Sequence, residues 1–423
     1  MIAVITPSLL SGEISIPPSK SAMQRACALS LLNNGTTIIY NPGNSNDDLA
    51  ALDIIEKLGA TIEHTNTHIK IISNGEIQPP TFINCHESGL SLRMFTPIIA
   101  ISKNSVFISG TGSLMKRPID LFSHFFTELG VDIKSENGLL PVEIKGPLQP
   151  VDIEIDGSKS SQYLTGLLFA FAKKVDRLTI ISARNLVSKP YIDLSLQFLQ
   201  HFGYKVVNDQ YERFYIYPTT QINRDIIYTV EGDWSSASFF IVAALIAGDL
   251  SLSGLDVNSC QSDKKILEVL DQINADYYKD ADILKIKKST AIKPFEFDAT
   301  DCPDLFPPLV LLALAANGKS VIKGVSRLYD KESNRAEALM NQFSKLGADI
   351  FLMDDNMIIN GGKKLKGGVV NSQHDHRIAM ALAIAGLMSS AEVVIEDAES
   401  VNKSFPEFFN LLQDCGGTVT LKT

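Results

Sequence analysis

The chain repeats itself about every seventy residues, and no other feature limits its fold so strongly. The pieces EKLGATI, TELGVDI, QHFGYKV, DQINADY, SKLGADI and QDCGGTV each set Gly or Asn after an apolar residue, at Gly59, Gly130, Gly203, Asn274, Gly347 and Gly416. Successive marks lie 69 to 73 residues apart. Gly and Asn tolerate the left-handed turn that ends a helix, so each mark reads as a helix stop followed by a strand. A second series runs in phase: a strongly apolar helix, a polar turn, then a β-branched strand. Its turns fall at Gly35, Asn104, Lys174, Gly248, Gly318 and Ser389, spaced by 69 to 74 residues. Two series in phase over six units account for the whole chain.

Each unit therefore holds a buried helix, strands, and a more amphipathic second helix that ends at the mark, which makes the fold α/β. In the first unit, Asn46-Asp47-Asp48 can cap the second helix, and Leu49, Leu52, Ile55 and Leu58 supply its apolar face. Six units are too many for one core, so three per domain is the natural division, with a cut near Tyr228. No Gly/Ser-rich or Pro-rich linker marks that cut, so the domains should be closely joined.

Composition narrows the function. Among 423 residues, 38 Lys and Arg face 48 Asp and Glu, a formal charge of −10. That argues against a general nucleic-acid or polybasic membrane binder, but not against anionic substrates, which need only local positive charge. Five scattered cysteines show no zinc spacing and read as reduced thiols. No Lys or Arg precedes the first apolar stretch, so no signal peptide is expected. The apolar run Phe239 to Ala247 is too short to span a bilayer, which needs about 20 residues.

Polar residues recur with the same period ahead of the buried helices. Lys20, Gly89, Ser160, Ser235, Asp304 and Asp375 lie 69 to 75 residues apart. Ser, Asp and Gly are ordinary helix caps, and that reading suffices for Asp233 with Ser235 and Ser236. Caps do not need Lys20, Arg25, Arg93 or Arg377, whose charge opposes the dipole at a helix start. Free helix N–H groups beside cations make anion sites. The second helices carry a matching series of Arg117, Lys189, Lys264, Lys331 and Lys403, with Arg335 close by.

Other chemistries lack their signatures. There is no phosphate-binding GxxxxGK[ST] loop, no third Gly after Gly110-Thr111-Gly112 for a dinucleotide fingerprint, and no GxSxG elbow. His374 and His376 lack further ligands at metal spacing. What remains is acid–base chemistry on anionic substrates, with Asp304 and Glu332 as the carboxylates placed among cations.

With these motifs assembled, the chain resembles the 5-enolpyruvylshikimate-3-phosphate synthase family over its whole length. The pieces are Pro18-Ser19-Lys20-Ser21 with Arg25, residues 157–163 (GSKSSQY), 186–193 (LVSKPYID), 231–238 (EGDWSSAS), 331–335 (KESNR) and 375–380 (DHRIAM). The resemblance implies a two-domain inverse α/β barrel of six βαβαββ repeats. Residues 14–228 would form one domain and residues 1–13 plus 229–423 the other, with the active site in the interdomain cleft. It implies transfer of the enolpyruvyl group from phosphoenolpyruvate to the 5-hydroxyl of shikimate 3-phosphate, through a tetrahedral adduct that loses phosphate. It further implies a cytoplasmic monomer with no cofactor, no metal, no nucleic-acid partner and no membrane partner.

Carried over by motif, Lys20 touches both substrates. Ser21, Arg25, Ser160, Ser161, Gln162, Ser188, Asp304 and Lys331 match shikimate 3-phosphate contacts. Gly89, Arg117, Gln162, Arg335, Arg377 and Lys403 match the phosphoenolpyruvate side. Asp304 would accept the hydroxyl proton, and Glu332 would move a proton at the methylene carbon. The chain departs from the family pattern at Glu87-Ser88-Gly89-Leu90, where Asn-Ala-Gly-Thr or Ser-Gly-Thr is usual. Arg327 stands where Asn is frequent, and Asn334 where Asp is. The nearest alternative, UDP-N-acetylglucosamine enolpyruvyl transferase, carries a Cys in the loop that here runs from Ser109 to Arg117 without one. A non-catalytic anion sensor on the same scaffold, and a repeat scaffold for protein partners, are the readings from other classes.

Overall fold

A computed structural model describes residues 1–65, 67–219, 224–280 and 282–422. The six repeats appear as six four-stranded sheets built to one plan. In the second repeat, Phe82–Asn84 leads into the buried helix Gly89–Ile99 and pairs in parallel with Ser105–Ser109. That strand pairs antiparallel with Leu139–Lys145, which hairpins with Asp132–Glu136. A helix before each parallel partner and a hairpin at the end give the βαβαββ order.

The six marks behave as their residue types require. Gly59, Gly130, Gly203, Asn274, Gly347 and Gly416 all hold positive φ, between 57° and 111°. The chain leaves each second helix there and turns directly into a strand. The first repeat differs in detail from expectation. Ser45 caps the helix Asn46–Lys57 and forms a reciprocal capping box with Asp48, so Asn46-Asp47-Asp48 is not the cap itself. Leu49 is 51% exposed, and the buried face instead runs through Ala51, Leu52, Ile54, Ile55 and Leu58.

The chain divides into two compact units, residues 18–230 and residues 1–17 with 231–423. Residues 14–17 thus fall with the second set, and 229–230 with the first, a few positions from where sequence alone drew the line. The reason lies in strand pairing. Gly12–Ser15, which leads toward the helix Lys20–Leu32, pairs instead with Leu250–Ser253. Ile226–Thr229, which leads toward Trp234–Ala247, pairs instead with Asn34–Tyr40. The first and fourth repeats have exchanged their leading strands. Ile2–Thr6 lies between Val393–Glu396 and Thr418–Lys422 and completes the sixth sheet.

Each unit carries its own core beneath its sheets. In the unit of residues 1–17 and 231–423, Trp234, Phe239, Phe240 and Phe306 are fully enclosed. In the other, Phe95, Phe122, Phe126 and Phe169 are. The run Phe239 to Ala247 lies inside the helix Trp234–Ala247. Among the described residues, no helix is long and apolar enough to cross a membrane.

Candidate active site

In the unit of residues 1–17 and 231–423, the starts of the buried helices hold an ion-pair lattice centred on Arg335. This guanidinium is fully buried. Its Nη1 donates to Asp304 Oδ1 at 2.8 Å, and its Nε to Asp375 Oδ2 at 3.0 Å. Its Nη2 donates to Glu332 Oε2 at 2.7 Å and to Asp375 Oδ1 at 3.2 Å. A guanidinium has five N–H donors, so three carboxylates take most of them. Burial works against the charge of Arg335, but Asp375, Glu332 and Asp304 together hold its pKa above the ordinary arginine value.

Asp304 is the most heavily paired acid. Besides Arg335, it accepts from Arg377 Nη2 at 3.1 Å and lies 3.7 Å from Lys331 Nζ. Burial pushes its pKa up, yet Arg377, Lys331 and Arg335 outweigh that and hold it well below the usual carboxylate range. Lys331 drops to about 8, chiefly through burial, with Asp304 opposing. Behind Arg377 lies Asp263, wholly buried against the Ser235 hydroxyl. Its pKa rises to about 6, first through burial and then through the charge of Asp304. Lys403 closes a short helical turn, Ala398–Lys403, and is buried.

In the unit of residues 18–230, hydroxyls cap the buried helices and cations stand beside them. Ser19 caps Lys20–Leu32, Ser88 caps Gly89–Ile99, and Ser160 caps Ser161–Lys174. Lys20 Nζ pairs with Asp47 Oδ2 at 2.9 Å. Arg93 Nη1 donates to Gln162 Oε1 at 2.9 Å. A Cβ at Gly89 would sit 2.8 Å from Arg117 Nη1 and 3.1 Å from Arg93 Nη1, so a side chain there would shift the ends of both arginines from their present places at that helix start. Arg117 is buried and donates to Ser113 Oγ at 3.3 Å.

Arg25 is placed differently from Lys20. It is 1% exposed, and burial lowers its pKa to about 10. Its Nε donates to Ser195 Oγ, its Nη1 to the Ser21 carbonyl and its Nη2 to the Tyr191 carbonyl. Ser188, at left-handed φ of 55°, caps the helix Lys189–His201 that Arg25 supports. Ser21, Ser160 and Gln162 are partly exposed, whereas Ser161 and Ser188 are buried.

The structure thus gathers Asp304, Lys331, Glu332, Arg335 and Arg377 by direct contact in one unit. In the other it sets Lys20, Gly89, Arg117, Ser160, Ser161, Gln162 and Ser188 at or near helix starts. Sequence reasoning missed Asp47, Asp263 and the full part of Asp375. Asp375 was visible as a marker beside Arg377; Asp47 looked like one of several capping acids. Glu332, Asp375 and His376 offer atoms within 4.8 Å of one another, as metal ligands do. The Arg335 guanidinium already engages the carboxylates of that group, so the cluster suits an internal cation better than a metal ion.

An α/β protein of six such repeats, with cations and carboxylates at its helix starts, has the build of an enolpyruvyl transferase. The family model for EPSP synthase (3-phosphoshikimate 1-carboxyvinyltransferase) matches residues 4–412, and the chain belongs to that family. A 3-phosphoshikimate 1-carboxyvinyltransferase of Clostridium novyi is 36% identical over 98% of this chain and 97% of its own. One from Clostridium perfringens strain 13 is 37% identical over 98% of both. Among solved structures, EPSP synthase from Acinetobacter baumannii aligns over both whole chains, with a TM-score of 0.83 and 27% identity. The enolpyruvyl transferase NikO from Streptomyces tendae has a TM-score of 0.80 at 15% identity, covering 99% of this chain and 98% of its own; it speaks for the fold alone. The chain is an enzyme of its family, a transferase of the shikimate pathway that serves aromatic amino acid biosynthesis.

Proposed function

We propose that residues of both units carry out the family reaction, moving the enolpyruvyl group of phosphoenolpyruvate onto the 5-hydroxyl of shikimate 3-phosphate. Asp304 accepts the hydroxyl proton as the oxygen bonds to C2 of the donor. Glu332 supplies a proton to the methylene carbon, which gives a tetrahedral adduct. Glu332 then takes a methyl proton back as the bond to phosphate breaks, and the proton held by Asp304 leaves with the phosphate, releasing inorganic phosphate and the enolpyruvyl ether. Lys20 contacts both substrates. Ser21, Arg25, Ser160, Ser161, Gln162, Ser188 and Lys331 receive the acceptor. Arg117, Gln162, Arg335, Arg377, Lys403 and the backbone at Gly89 receive the donor. The three nitrogens that Arg25 already commits to its own unit make its share the narrowest.

The observation that carries this reading is the grip of Arg335, Arg377 and Lys331 on Asp304. A carboxylate so held is a weak base. The donor brings phosphate and carboxylate groups that compete for the same cations. As they draw those cations, Asp304 regains basicity, so base strength follows substrate binding. The enzyme is read as a monomer of the cytoplasm; a mass in solution of twice 46.3 kDa would contradict the first point.

The test is phosphate release from phosphoenolpyruvate with shikimate 3-phosphate and, in parallel, with UDP-N-acetylglucosamine. Release with shikimate 3-phosphate alone, with the enolpyruvyl product seen by mass spectrometry, is expected. Release with the nucleotide sugar alone would overturn the acceptor assignment. No release with either, from folded protein, would overturn the catalytic reading.

A further inference from the structure

The first turn of the helix Lys189–His201 is gripped from two sides. On its buried side stands Arg25, bonded to the Tyr191 carbonyl at 3.1 Å and to Ser195 Oγ at 2.9 Å. On the other stands Tyr211, which belongs to a different element. Its hydroxyl lies 2.9 Å from Asp193 Oδ1 and 2.8 Å from Asp193 Oδ2. Its ring centroid lies 5.4 Å from Lys189 Nζ, a cation over an aromatic face. One tyrosine thus holds both an acid and a base of the turn that Ser188 caps.

Tyr211 reaches that turn from the tip of a hairpin, between the strands Val206–Asp209 and Arg213–Ile216. The tip closes with Glu212 N donating to the Asp209 carbonyl at 3.0 Å. Its two central residues, Gln210 and Tyr211, have φ of 54° and 61°. A two-residue turn of this kind favours Asn-Gly, and a bulky side chain at positive φ is an outlier. The backbone would accept glycine at 211 more readily than tyrosine. What tyrosine adds is the reach to Asp193 and Lys189.

We propose that Tyr211 is a positioning residue for the acceptor: by gripping Asp193 and Lys189 it fixes the helix start that presents Ser188, and so sets acceptor affinity. The proposal rests on the reading of Ser188 as an acceptor contact. A helix start already ordered before binding loses less freedom when the acceptor arrives. Donor affinity and the rate at saturation do not depend on that turn.

Tyr211→Phe keeps the ring beneath Lys189 and removes the hydroxyl. It should raise KM for shikimate 3-phosphate about three- to tenfold, the scale of one lost charged hydrogen bond acting indirectly. KM for phosphoenolpyruvate and kcat should stay within about twofold of the parent. Tyr211→Gly relieves the positive φ, so Tm should hold or rise while acceptor KM rises further. Titration calorimetry with shikimate 3-phosphate alone gives the same ranking without any turnover. Equal acceptor Kd in the parent and both variants would overturn the proposal even if the parent proved inactive. A lowered Tm with unchanged acceptor KM would also overturn it, reducing Tyr211 to a structural brace. An active parent whose variants bind acceptor equally well separates this failure from a failure of the proposed function.

Discussion

The two units place the same scaffold position, the start of a buried helix, under opposite electrostatics. In residues 18–230 the caps are the hydroxyls of Ser19, Ser88 and Ser160, and the charges beside them are mainly cations: Lys20, Arg93 and Arg117. In residues 231–423 the starts carry Asp233, Asp304 and Asp375, and guanidiniums are bound to the last two. In the first, Lys20 pairs with Asp47, and Arg93 donates to the neutral Gln162. The second neutralises itself, and its acids change strength only when something else takes their cations. One repeat plan thus yields hydroxyl caps with cations beside them in one unit and a lattice of acids bound to guanidiniums in the other, through which residue stands at the cap.

Five substitutions would sharpen or break that contrast. The largest effect is expected at Asp304. Asp304→Ala should abolish turnover, beyond the ~10²–10⁴ that acid–base groups usually contribute, while calorimetry still detects substrate binding. Near-parental phosphate release would remove Asp304 from the mechanism. Next comes Arg335→Met, which leaves three carboxylates without their shared partner. It should cost about 3–5 kcal/mol of stability, a fall in Tm on the order of 10 °C by calorimetry. Arg117→Met, its counterpart in the other unit, should change Tm little. Equal losses of Tm from the two would erase the distinction between the three-carboxylate lattice around Arg335 and the hydroxyl-capped starts beside Arg117.

A smaller, kinetic effect belongs to Gly89→Ala. The new methyl must push Arg117 and Arg93 aside, so KM for phosphoenolpyruvate should rise about tenfold, the loss of one well-placed ionic hydrogen bond. Unchanged donor KM would show that Arg117 has room to yield. The smallest effect is at Asp48, where burial, partly offset by the Ser45 hydrogen bond, raises the pKa to about 7. Between about pH 4, where the unfolded acid ionises, and pH 7, the folded form holds a proton that the unfolded form has released. Stability contributed at Asp48 therefore falls as pH rises through that window. Asp48→Asn should gain about 1–2 kcal/mol over the parent at pH 8 and nothing at pH 4. Asp304 has the opposite sign: its depressed pKa adds stability above the ordinary carboxylate range, and that stability is lost as acid is added. A Tm profile for Asp48→Asn parallel to that of the parent would contradict the assigned sign.

Much of this was legible from spacing. The repeat length, the helix stops and the lining up of Lys20, Gly89, Ser160, Asp304 and Asp375 follow from local rules that act within one turn or strand. The exchange of leading strands was not legible, because Gly12–Ser15 and Ile226–Thr229 are both short strands ahead of similar helices. Nothing local tells either one which sheet to join. Leu49 was misplaced because a helix period fixes the width of an apolar face better than its edge. Asp47 and Tyr211 were hidden for a third reason. Their partners, Lys20 and Asp193, stand 27 and 18 residues away, and no motif records such a pairing.

The exchanged strands also bear on how the chain is made. Residues 18–230 can complete every one of their sheets before anything beyond Thr229 has been synthesised. Ile2–Thr6 precedes the other described strands but lacks both neighbouring strands until residues 393–422 exist. At about 5–20 residues per second, that delay is on the order of tens of seconds. Throughout it, Ile2–Thr6 is an unpaired edge that a nascent neighbour or a chaperone can reach.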